Sequence, residues 1–170
     1  MRSGRGYAPA MDTPDTAVID VDGTLVDTVY HHTLAWSRAF RSFGRTVPLW
    51  RVHRAVGMGG DQLVPAVAGR EFEDAHGDEA RTAWKQEFDP MLPELRLFDG
   101  VHEFLTALSD EGMTVVLASS GAPEHVSAYL DLFDGEKHAA HRLTRDDVDR
   151  TKPEPDLVGV AVERAGGTDA

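Results

Sequence analysis

Apolar positions along the chain fall into two kinds of run. Thr16 to Val21 (TAVIDV) is short, β-branched and ends in acids, which predicts a buried strand rather than a helix. Asp22-Gly23-Thr24 then breaks it as a turn. Between residues 28 and 43, Trp36, Phe40 and Phe43 recur at i, i+4 and i+7, which predicts a helix stopped by Gly44. A break follows at Gly57-Met58-Gly59-Gly60, then a short helix from Asp61 to Ala68 with Asp61 as its N-cap. Glu71 to Met91 reads as a further helix with Ala80, Trp84, Phe88 and Met91 on one face, ended by Pro90 and Pro93.

Downstream the pattern changes. Val101, Phe104, Leu105 and Leu108 mark an amphipathic helix. Met113 to Ala118 (MTVVLA) is a second buried-strand run, broken by Ser119-Ser120-Gly121, and Pro123 opens a helix carrying Val126, Leu130 and Phe133. A short third strand is expected within His138 to Leu143. Thr151 to Asp156 is expected to be stiff and extended, because each proline holds its predecessor out of the helical region. Asp156 is expected to cap a last helix with Val158, Ala161, Val162 and Ala165 on one face, closed by Gly166-Gly167. Strands thus alternate with helices in 16–27 and 97–170, the signature of an α/β fold with a parallel sheet. Residues 28–96 read as an inserted α-helical cap, and residues 1–15, without periodicity, as a flexible N-terminal tail.

A chain of 170 residues fits one domain, or one small domain with an insertion. Its 29 acids against 17 bases give a formal charge of -12, which argues against nucleic acid or an anionic membrane as main partner. A small phosphate in a local pocket remains compatible with that charge. Cysteine is absent, which excludes a disulfide framework, a thiolate zinc site and a Cys nucleophile. No apolar run approaches the roughly 18 residues of a membrane helix, and the N-terminus has no apolar signal core. A soluble cytoplasmic protein is expected.

Three features carry candidate chemistry. In DVDGTLVD, Asp20 and Asp22 lie two apart at a strand end, pointing to one side of an ideal strand. Two such close carboxylates need a cation or a shared proton, and Mg²⁺ supplies a hard cation with a preference for oxygen ligands. The position is also where an α/β sheet binds ligands, beyond the carboxyl end of a strand. Gly23 permits the tight departure. Ser119, just after the second strand and before a helix N-terminus, offers a hydroxyl beside backbone N–H groups, an anion site. Lys152 is one of three lysines, with Lys85 and Lys137, and its Pro-flanked segment presents a fixed positive charge. Taken singly, each has a plain structural reading: a solvated Asp-Gly turn, a strand-end turn, a surface lysine.

Together, in this order and spacing, they resemble the haloacid dehalogenase superfamily of phosphohydrolases. DVDGTLVD matches the first motif of that family, Ser119 the second, and Lys152-Pro153 with Pro155-Asp156 the third. The resemblance spans about residues 16 to 167 and implies a Rossmann-like core with a helical cap. It also implies a Mg²⁺-dependent phosphatase of a small phosphorylated metabolite, in the phosphoglycolate phosphatase and β-phosphoglucomutase branch. Asp20 would be the nucleophile that forms an aspartyl-phosphate, and Asp22 the general acid and base. Ser119 would bind the phosphoryl oxygens and Lys152 would hold Asp20 and the phosphate. Gly23, Thr24, Ser120 and Gly121 would join them in binding substrate, and Asp20 and Asp22 would bind Mg²⁺. An acid at Asp22 separates phosphatases from true dehalogenases. Gly57 and Gly59 fall where caps of the family carry a substrate loop, although a helix-to-helix turn explains them equally well. A fourth, acidic motif expected shortly after Gly167 has no counterpart before Ala170, which reads as a truncation and predicts an open edge along Val18 to Val21. The alternatives are a sugar-phosphate mutase of the β-phosphoglucomutase type and an inactive fragment or non-catalytic binding module.

Other polar clusters have simpler expectations. His31-His32 opens a helix; it could face the pocket behind Asp27, but two adjacent histidines at a helix start are expected to be solvated. Trp36 and Trp84 are expected in the core of the cap, the acids of 71–79 on a solvated face, and Arg145 to Arg150 in surface pairs.

Overall fold

A computed structural model describes residues 15–166. The expected tail, except Asp15, and the residues from Gly167 onward lie outside the described part. Three parallel strands, β1 (Thr16–Ile19), β2 (Thr114–Ala118) and β3 (His141–Leu143), lie in the order β1-β2-β3. Thr16 pairs with Thr114 and Ile19 with Leu117, while Val116 pairs with His141 and Ala118 with Leu143. Alternate residues of β2 enter different cores, as the two-residue strand period requires. Val115 and Leu117 pack with Val101 and Leu105 of α5 (Val101–Asp110) and Val126 and Leu130 of α6 (Pro123–Asp131). Val116 and Ala118 pack with Leu157 and Ala161 of α7 (Asp156–Ala165) on the other face. Both faces being covered, β2 reads as an unbroken apolar run. Among the described residues β1 has one strand neighbour, so the expected open edge is present, although Ile19 and Val21 are buried.

Between β1 and α5 the chain makes a long helical excursion. It consists of α1 (Val29–Ser42), α2 (Leu49–His53), α3 (Gly60–Ala68), α4 (Arg70–Phe88) and a 3₁₀ turn over Asp89–Glu94. These helices enclose their own apolar cluster, centred on Trp36, Phe40, Val52, Leu63 and Ala80. The outgoing and returning chains run side by side: the Asp27 N–H donates to the Arg96 carbonyl at 2.8 Å and the Phe98 N–H to the Leu25 carbonyl at 3.1 Å. Val26 and Leu97 pair as an antiparallel bridge there.

Several boundaries differ from the sequence expectation. β1 ends at Ile19, because Leu25 and Val26 both donate their N–H groups to the Val21 carbonyl and curl the chain. β3 is confined to His141–Leu143, because residues 135–137 form a 3₁₀ turn. Gly59, not Asp61, is the N-cap of α3, since the Asp61 carboxylate is engaged by Thr151 instead. Thr151 to Pro155 is a turn rather than an extended segment: the Glu154 N–H donates to the Thr151 carbonyl. Pro155 then caps α7, and Asp156, its first residue, faces Arg150. The buried stripe of α7 is Leu157 and Ala161, and Val158 is exposed, because only one narrow face of the helix meets the sheet.

A polar network ties the end of α4 to the start of α6. Asp89 accepts from Lys85 at 2.9 Å, and its other oxygen lies 2.8 Å from Nε2 of the buried His125. Partial burial pushes the Asp89 carboxyl up, but the hydrogen bonds and charges of Lys85 and His125 outweigh it and hold it below the ordinary 3.8. A depressed carboxylate stabilises the fold above its unfolded pKa and loses that contribution as pH falls through the folded value. Asp89→Asn is therefore expected to lower the melting temperature at pH 7 and to converge on the unmutated chain below pH 3.8. The effect should stay within about 1 kcal/mol, because an exposed pair is screened by water. Thermal melts of the two chains across this range check it.

Candidate active site

The carboxyl ends of the strands bring the sequence candidates together. Asp20 leaves the end of β1, the Ser119-Ser120-Gly121 loop leaves β2, and Lys152 precedes α7. The Lys152 ammonium donates to the Asp20 carboxylate and, at 3.1 Å, to the Ala118 carbonyl. Thr24 Oγ1 donates to the other Asp20 oxygen at 3.3 Å, and the Lys152 backbone N–H reaches Ser120 Oγ at 3.3 Å.

Asp22 has a different environment. Ser119 Oγ donates to one of its oxygens at 2.5 Å, and His32 Nε2 lies 3.1 Å from the other. Burial pushes the Asp22 carboxyl up, yet His32, Ser119 and Lys152 together hold it below the ordinary carboxylate value. His32 is fixed in turn by stacking on Phe88, with ring centroids 4.1 Å apart and planes 9° from parallel. Tyr129 Oη lies 3.5 Å from the same His32 nitrogen, and burial beside Asp22 raises its phenol far above the usual tyrosine range.

Gly23 makes the turn that follows these carboxylates possible. Its φ is +74°, and a Cβ there would sit 2.5 Å from Cγ2 of Val29. Gly23→Ala is expected to destabilise the chain by about 2 kcal/mol through overpacking and backbone strain. Chemical denaturation measures the loss.

Asp20, Asp22 and Lys152 line a cleft enclosing about 650 Å³ of space, open solvent included. Ser120 and Gly121 line it from the sheet side, and Gly57 and Gly59 from the helical side. Gly59 has a further constraint, since a Cβ would lie 2.1 Å from Thr151 Oγ1. That hydroxyl donates to Asp61 at 2.6 Å, so Gly59 lets α3 approach the Lys152 segment. Three candidates lie outside the cleft lining. Gly23 and Thr24 shape the turn behind Asp20, and Ser119 is fully buried, its hydroxyl turned to Asp22 instead of the open space.

Among the described residues no three His, Cys, Asp or Glu side chains gather to enclose a metal ion. The two carboxylates at the cleft nonetheless suit Mg²⁺, which binds through one or two carboxylates and completes its shell with water and substrate oxygens.

Comparison with known proteins decides the family. Residues 17–169 match the haloacid dehalogenase-like hydrolase family. The chain belongs to it. Validoxylamine A 7'-phosphate phosphatase of Streptomyces hygroscopicus subsp. limoneus is 24% identical over 152 residues, 82% of this chain and 66% of that protein. Phosphoglycolate phosphatase 1 of Pseudomonas aeruginosa is 26% identical over 159 residues, 90% of this chain. The chain spans 58% of the length of that relative. A crystal structure of a hydrolase from Pseudomonas syringae superposes with a TM-score of 0.82 at 27% identity, covering 89% of this chain and 71% of that one.

The fold of this hydrolase also places residues that sequence reasoning passed over. His32 is mostly buried, its side chain 12% exposed at the cleft, because it shares a helix face with Trp36 and Phe40 at i, i+4 and i+8; that spacing was the available signal. Trp36 and Trp84 belong to the helical core as expected, and both also line the cleft. Arg145, expected only in a surface pair, contacts Asp146 and lines the cleft as well, its N–H donating to the Gly121 carbonyl. His125 and Tyr129 complete the wall from α6. Nothing local in the sequence marks Arg145 or His125. No helix among the described residues is long and apolar enough to cross a membrane.

Proposed function

We propose that this hydrolase is a phosphatase of small phosphate esters, in which residues 16–27 and 97–166 form the catalytic core and the helices of 28–96 the cap over it. The observation that carries this reading is the unequal treatment of two neighbouring carboxylates. Lys152 binds Asp20 at the cleft, while Ser119 and His32 bind Asp22. One carboxylate is thereby oriented as a nucleophile and the other is kept for proton transfer.

In the proposed reaction an Asp20 oxygen attacks phosphorus, the bond to the leaving oxygen breaks, and Asp22, which has to enter this step protonated although its neighbours favour the carboxylate, delivers a proton to that oxygen. Water then attacks the aspartyl-phosphate, gives its proton to Asp22, and releases Asp20 and inorganic phosphate. Lys152 offsets charge on Asp20 and on the phosphoryl group. The loop at Ser120 and Gly121, at the N-terminus of α6, receives phosphoryl oxygens. When bound between Asp20, Asp22 and the substrate, Mg²⁺ would neutralise charge on the transferring group. Both curated relatives described above bear phosphatase names, which supports the reading.

Phosphate release from a panel of small esters tests it. Turnover is expected with Mg²⁺ and is expected to fall at least about 100-fold in excess EDTA, since the metal contributes several kcal/mol of charge stabilisation. Turnover indifferent to EDTA would refute the metal dependence, and no release from any ester would refute the phosphatase reading. The mutase alternative needs a second phosphoryl group held on the helical wall of the cleft, and that wall offers no Lys or Arg among the described residues.

A further inference from the structure

The two walls of the cleft differ in kind. The Asp, Lys and Arg side chains that line it, Asp20, Asp22, Lys152 and Arg145, come from the sheet side, and the two imidazoles in the lining, His32 of α1 and His125 of α6, are held by Asp22 and Asp89. The wall that faces them is built by Trp36, Val56, Met58, Leu63 and Trp84, with the Gly57-to-Gly60 turn between them. Trp36 and Trp84 stack with centroids 5.4 Å apart, and Trp84 stacks on the buried Phe88, so the Trp84 indole is held in place at the wall. With Asp20 attacking in line, the leaving oxygen would depart on the side of phosphorus away from Asp20, and the wall opposite the sheet is the part of the lining left to receive it.

An anionic leaving group would meet no Lys or Arg there, and the one imidazole on that side, His32, is already engaged by Asp22, so it would lose its hydration without replacement, which is costly. An uncharged ring would lay its apolar face on the partly exposed Val56, Met58 and Trp84 and displace water from them. Resting on the phosphatase reading, we propose that the cleft selects phosphate monoesters with an uncharged, ring-bearing leaving group and rejects those carrying a second anion. Arg145 is the one cation that could rescue an anionic group. It sits beside Gly121, on the phosphoryl side of the cleft, and already contacts Asp146.

Two matched primary esters, cyclohexylmethyl phosphate and 2-phosphoglycolate, test the proposal. The unmutated chain is expected to favour the ring ester in kcat/KM by at least about tenfold, the lower end of what an apolar pocket discriminates. Met58→Arg puts a cation on the apolar wall and is expected to shrink that ratio, with thermal melts confirming the fold. Arg145→Ala is expected to leave the ring ester preferred. An unmutated chain that turns over 2-phosphoglycolate as fast or faster would overturn the proposal. Binding of the same esters to the Asp20→Asn chain, read by tryptophan fluorescence, gives an answer independent of catalysis. Tighter binding of the ring ester supports the selectivity even if no ester is hydrolysed, and equal or tighter binding of 2-phosphoglycolate overturns it. Absent turnover with ring-selective binding would count against the phosphatase reading alone.

Discussion

Asp20→Asn is expected to abolish phosphate release, lowering kcat by at least ~10⁴-fold, the scale at which loss of a nucleophile is felt. The amide keeps the shape of the side chain and the Lys152 ammonium keeps its bond to the Ala118 carbonyl, so the fold should survive. The same preparation should melt in one cooperative transition. Acid quench of the unmutated chain during turnover should trap phosphate on the protein, and the variant should trap none. Activity within tenfold of the unmutated chain would remove Asp20 from its role.

Asp22→Asn should be nearly as damaging, but selectively. A general acid contributes about 10²–10⁴-fold, and the need for it depends on the leaving group. An alkyl phosphate requires the proton and should lose the full factor. The p-nitrophenolate of p-nitrophenyl phosphate leaves as a stable anion without a proton, so Asp20 should still attack that ester. Hydrolysis of the aspartyl-phosphate then lacks its base. The expected signature is a burst of nitrophenol equal to the enzyme concentration, followed by slow turnover. Equal losses on both esters without a burst would assign Asp22 a merely structural part, holding Ser119 and His32.

The two carboxylates were legible in the sequence because they follow an apolar strand directly, and the strand announces its own direction. β2 was equally plain, since burial on both faces leaves an unbroken apolar run. His32 was not, because its burial depends on Phe88 and Trp84, which reach it only after the chain has travelled through three further helices. Ser119 shows a different limit. Its place at the end of β2 could be read from the sequence, but its orientation is set by Asp22, ninety-seven residues earlier. The turn at Thr151 escaped for a similar reason. Its hydroxyl is claimed by Asp61 of α3, and proline stiffness alone predicts nothing about that partner. Local periodicity reports which faces are apolar, and long-range polar contacts decide where individual side chains turn.

The pairing of Asp27 with Arg96 and of Leu25 with Phe98 has a thermodynamic consequence for everything between them. A closed base makes the helical excursion, seen from the sheet, a loop whose ends are already joined. The entropy of closing such a loop grows only with the logarithm of its length, about 0.6 kcal/mol for each doubling. The sheet is therefore nearly indifferent to the size of what the base encloses. Helices can be gained, lost or exchanged above that two-stranded neck while Asp20, Ser119 and Lys152 keep their register. In the proposed reaction, recognition of the leaving group is thus free to diversify in one part of the chain while the groups that handle phosphorus stay constant in the other.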